Sequence, residues 1–111
     1  MTSQSGVLEA IDRILNRGGE ADDVLRAVLS ALHERGISYA AIRFVDEGAL
    51  VDGPAVGTRT RGVVTPVTYE GRRVGELELA IEDTEFAERV ATLISAYVLV
   101  GWDTSGEAWA P

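Results

Sequence analysis

TYEGRRVGELELAIED, residues 68–83, holds a Glu-Gly pair between two β-type runs and ends on an acid suited to capping a helix. Its second half has a period of two. Leu77, Leu79 and Ile81 fall in one row and Glu76 and Glu78 in the other, which gives the strand one buried and one wet face. Glu70 and Gly71 then join two antiparallel strands, residues 63–69 and 73–82, with Gly71 as the turn residue. Asp83 or Thr84 can cap the helix that follows through a side-chain oxygen. Phe86, Val90, Leu93, Ile94 and Tyr97 give that helix an apolar stripe, widened by Ala87, Ala91, Val98 and Leu99. A helix apolar over most of its girth is buried on two sides. One side meets the sheet, and the other requires the first helix or a second subunit.

Upstream, Val7, Leu8, Ile11, Ile14 and Leu15 predict an amphipathic helix over 5–17, stopped by Gly18 and Gly19. A second helix spans about 20–35, with Val24, Leu25, Val28, Leu29 and Leu32 on one face and Gly36 as its stop. The period then changes. In SYAAIRFVD, residues 38–46, Ile42 and Phe44 oppose Arg43 and Val45, as in a strand. Asp46, Glu47 and Gly48 form a hairpin turn, and residues 49–52 begin the return strand, which Gly53 and Pro54 are expected to break. Residues 55–62 read as a loop or short edge strand, and residues 101–111 as a turn-like tail. The order helix, helix, four strands, helix predicts one α+β domain over 1–111: a 5–17 helix, a 20–100 core with an antiparallel sheet and helices on one face, and the tail.

Composition narrows the chemistry. A chain of 111 residues with 46% hydrophobic content supports a single core. With no cysteine, it has no disulfide, thiolate metal site or thiol nucleophile. The formal charge of −8 disfavours nucleic acid and anionic membrane as partners, since both are held by cationic surfaces. The N-terminus lacks the pattern of a secretory signal, and the apolar window over residues 90–102 is too short to span a bilayer. The expectation is a soluble cytoplasmic protein without a cofactor.

The strand pair VVTPVTYEGRRVGELELAI, followed by DTEFAERVATLISAYVL, resembles the GAF domain family. Pro66, Gly71, Val74, Gly75, Leu77 and Leu79 match the family's pattern, and the likeness covers roughly residues 20–100. The resemblance implies a PAS/GAF-type architecture and a regulatory or sensory role. It also exposes a departure. Family members that bind cyclic nucleotides, tetrapyrroles or haem place a long segment between the second strand and the Pro-containing strand, roofing a pocket, whereas here only about residues 52–62 remain. The resemblance further implies that methionine sulfoxide reduction and covalent bilin attachment are closed to a chain without cysteine. The Asn-Lys-x-Asp-Glu set of cyclic-nucleotide-binding members is also missing, and the chain has no lysine.

Four groups of candidate residues follow. Arg43, Arg59 and Arg61, with Tyr69, Glu76 and Glu78, form a potential shallow site for an anion or nucleotide on the open sheet face. Alternatively, Arg43 pairs with a glutamate on the adjacent strand, a contact contributing about 0.2–1 kcal/mol. Asp46, Glu47 and Asp52 are oxygen donors around one hairpin, but their spacing does not match a calcium loop. His33, the single histidine, has no nucleophile or orienting group placed beside it by the sequence, and reads as a boundary residue. Leu8, Ile11, Leu15, Tyr97, Trp102 and Trp109 are candidates for an interface. The expected role is a non-catalytic module acting by protein contact, as a homodimer through its first and last helices. The alternative is a small-molecule sensor using the open sheet face.

Overall fold

The computed structural model describes residues 4–105, with side chains from Gly6 to Val100. The elements are α1 (Gln4–Arg17), α2 (Ala21–Glu34), β1 (Tyr39–Asp46), β2 (Ala49–Gly57), β3 (Val63–Tyr69), β4 (Arg72–Leu79) and α3 (Thr84–Ser105). The strands form one antiparallel sheet in the order β2-β1-β4-β3. Ile42, Phe44, Leu77 and Leu79 point into a core shared with Leu25, Leu29, Val90 and Ile94. Each such side chain contributes about 1.5–3 kcal/mol through burial. Tyr39 and Ala41 are buried but lie outside that cluster, consistent with their place on the opposite face of β1.

The helices stack on the core face in sequence-specified ways. Asp83 Oδ1 accepts the amide of Phe86 at 3.0 Å, so Asp83 is the cap of α3. At the end of α2, the Ile37 amide reaches the Leu32 carbonyl and the Gly36 amide the His33 carbonyl, with Gly36 at φ 104°. This glycine-terminated pair of bonds turns the chain directly into β1. α3 packs on β3 and β4, α2 on β1, β2 and α3, and α1 on α2 and α3. The second buried side of α3 is thus covered by α2 and α1 within one chain. α3 also runs through 101–105, where a turn-like tail is expected, because it continues the same helical hydrogen bonding to Ser105.

Three strand expectations change. Gly53 and Pro54 do not break β2: they stand opposite the single residue Ile42 as a bulge, and the strand continues to Gly57. A side chain at Gly53 would sit 2.5 Å from Phe44 Cε2, so glycine lets the strand bend over that ring. β4 also carries an extra residue, because Val67 faces Gly75 while Thr68 faces Arg73. Val74 joins the core there, which displaces the alternation by one and brings Arg73 to the face of Glu76. Finally, β4 ends at Leu79 rather than Glu82; Ile81 leaves the strand but still packs against the core.

The connection between β2 and β3 sets the shape of the open face. These strands occupy opposite edges of the sheet, yet only residues 58–62 join them. Gly57 lies beside Tyr39, and Val63 beside Leu79, so the link crosses the sheet at one end. The crossing spans three strand spacings, about 14 Å, and the chain from Gly57 to Val63 extends at most about 20 Å. The strap's length beyond that span is about 6 Å, so its middle can rise no more than about 7 Å. Both of its ends press on backbone: a side-chain carbon on Gly57 would fall 1.9 Å from the Ser38 carbonyl oxygen, and one on Gly62 1.9 Å from that of Leu79.

Candidate functional site

On the open face, β1 and β4 bring Arg43 opposite Glu76, with Asp52 of β2 on its other flank. Arg43 Nε donates to Glu76 Oε1 and Arg43 Nη2 to Glu78 Oε1, each at 3.1 Å. Arg73, brought round by the β4 bulge, pairs with the other oxygen of Glu76. The Arg43, Glu76 and Glu78 side chains are only 17%, 14% and 10% exposed, respectively. Partial burial alone would lower the Arg43 pKa, but its bonds to Glu78 and Glu76 outweigh that and hold it above the ordinary arginine value. Two carboxylates already occupy the Nε–Nη2 edge of this guanidinium, one of the two edges with which it could grip an anion.

The other residues expected at this site separate. Arg59 and Arg61 are exposed on the strap. Tyr69 is not on the open face: it is half-buried against the helix-side core, in the same row of β3 as Thr65 and Val67. Asp46, Glu47 and Asp52 do not gather, and among the described residues no three acids or histidines come together as a metal ion requires. His33 Nδ1 lies 3.0 Å from the Ile37 carbonyl, with which it bonds as a donor at the end of α2.

The interface candidates also divide. Ile11 is fully buried inside this chain and cannot meet a partner, because α1 turns that side toward α2 and α3. The Tyr97 hydroxyl donates to the Leu15 carbonyl at 3.3 Å, tying α3 to α1 internally. Leu8 stays half-buried at the surface. Trp109 lies outside the described residues, as does the side chain of Trp102.

One surface escaped the sequence reading. α1 and α3 bound an open groove of about 680 Å³ whose apolar contacts are Leu8 and Leu93. Glu9 and Asp12 line it from α1, Glu85 and Glu88 from α3. Each acid pair is spaced i, i+3 beside an apolar stripe, a signal readable helix by helix, while the packing of α1 on α3 was one of two alternatives the sequence left open.

No protein-family model matches the chain, and no curated protein does. Solved structures do. The GAF domain of Acinetobacter phosphoenolpyruvate-protein phosphotransferase superposes with a TM-score of 0.71 at 13% identity, over 96% of this chain and 99% of that one. The nlh2 GAF domain of A. aeolicus in an inactive state gives 0.61 at 15% identity, over 92% and 95%. The free methionine-R-sulfoxide reductase of Neisseria meningitidis, in complex with its substrate, gives 0.64 at 17% identity, over 95% and 93%. At these identities the likeness establishes the fold: the chain has the GAF-type α+β architecture.

Proposed function

We propose that this GAF-type domain is a non-catalytic regulatory module that works through protein contact rather than by enclosing a small molecule. The observation that carries this reading is the strap. A five-residue crossing pressed onto backbone at both ends cannot dome over the open face, and a small-molecule site ordinarily buries most of its ligand. The charges on that face point the same way, because Arg43 is engaged by Glu76 and Glu78. The absence of cysteine removes sulfur-based reduction from the chemistry open to the chain.

A second reading, a shallow anion sensor, draws on one observation: Arg59 and Arg61 are exposed on the strap. A thermal-shift screen with nucleotides, phosphate and small carboxylates separates the two. A ligand held at about a hundred times its Kd stabilises the folded state by about 2.7 kcal/mol, a readily visible rise in Tm. The protein-contact reading predicts no such rise. A rise that disappears in Arg59→Ala/Arg61→Ala favours the sensor.

A further inference from the structure

The groove between α1 and α3 carries an inference that rests on the protein-contact reading and names the partner's chemistry. Of the described residues that bound it, Glu9, Asp12, Glu85 and Glu88 are acidic, and Arg89 alone is basic. Arg89 is moreover bonded to Glu85 at 2.9 Å, so one acid already satisfies the single cation. Leu8 and Leu93 supply a half-buried apolar strip between these acidic rims. The walls are two helices, the arrangement into which a third helix lays an apolar stripe. We infer that this groove docks a basic amphipathic helix of a partner protein, with apolar residues at i, i+3 or i+4, and i+7 over Leu8 and Leu93, and Arg or Lys toward the acids.

Charge selects this occupant over two others. A second copy placed groove to groove would set acidic rim against acidic rim, in a chain whose net charge is −8. The chain's own residues outside the described range, 1–3 and 106–111, include no basic side chain and add Glu107. Neither complements the rims.

The test is a titration of the ¹⁵N-labelled full chain with two designed peptides. One is a Leu/Arg amphipathic helix, and the other is the same sequence with Glu for every Arg. The Leu/Arg peptide should shift the amides of Leu8, Glu88, Thr92 and Leu93 while leaving Arg43 and Glu76 in place, and the Glu peptide should shift none. Glu9→Arg/Glu88→Arg should weaken binding about tenfold, the cumulative effect of reversing two exposed charges. If that variant fails to fold, Glu9→Gln/Glu88→Gln serves instead, with an expected loss of about threefold. Raising NaCl from 0.1 to 1 M should also weaken binding, because the screening length falls from about 10 to 3 Å.

Equal binding of both peptides, no binding of either, shifts outside the groove, or variants that bind as well as the parent would each overturn the inference. So would light scattering showing a dimer of the 11.9 kDa chain together with groove amides that shift on dilution. These failures leave other surfaces open to protein contact. Conversely, a nucleotide or anion bound at the open face would sink the underlying reading without bearing on the groove.

Discussion

Arg43 is the residue on which the open face turns. Removing it leaves Glu78 without its cation and Glu76 with Arg73 alone, so Arg43→Ala should cost roughly 2 kcal/mol in urea unfolding, less than the about 3–5 of a fully buried pair because each side chain keeps some solvent. Arg43→Lys keeps the charge but loses the fork, and should recover only part of that loss. A loss below about 0.5 kcal/mol in Arg43→Ala would show the cluster to be an ordinary solvated contact. The sign of the pH effect follows from the raised pKa. Such a group stabilises the fold below its unfolded pKa and loses that effect only as pH climbs through the folded one, so Arg43 itself adds no pH dependence between about pH 5 and 9. Glu47 and Glu70 make a separate prediction: both sit at φ 51°, each followed by a glycine at φ 81°, in two-residue hairpin turns. Asparagine tolerates that left-handed conformation better, so Glu47→Asn and Glu70→Asn should each raise stability by about 0.5 kcal/mol, and a decrease would contradict the turn assignment.

Among the elements, α3 depends on its cap and the strap on its glycines. Asp83→Ala leaves the Phe86 amide without its acceptor and should lower stability by about 1 kcal/mol, read as a fall in Tm of about 5 °C. At Gly57, φ 87° and the nearby Ser38 carbonyl both oppose a side chain, so Gly57→Ala should cost more than about 1 kcal/mol. A neutral result there would mean that the strap can lift. The helix starts, the glycine stops of α1 and α2, both Glu-Gly turns and the row of Leu77 and Leu79 were legible because each has a local cause: a periodicity, a cap or a glycine at a turn. The bulges were not. Gly53-Pro54 carries the same local signal whether a strand ends or bends, and only the Phe44 ring across the ladder decides between them. The misplacement of Tyr69 has a related origin: its face is set by the row it shares with Val67, while β4 alone shifts phase at Val74.

For the whole molecule, the GAF-type fold was visible in the sequence, and so was a short link between β2 and β3, counted there as about residues 52–62 and cut to five by the continuation of β2 to Gly57. What that count implied required the strand order, because five residues are short only when they must pass from one sheet edge to the other. The interface was legible only in part. Apolar periodicity marked α1 and α3 as rich in buried surface, but Ile11 spends that surface inside the chain, and the acidic groove emerges only where the two helices meet. On the proposed reading, the short strap and the ion pairs of Arg43 together close the open face to ligands. Its most direct test is the Arg43 Nε–H resonance, followed by NMR during titration with cyclic nucleotides, ATP and phosphate. The expected signal is protected from exchange by Glu76 and does not move at any ligand concentration. A saturable shift of that resonance, together with the amides of Arg59 and Arg61, would contradict it.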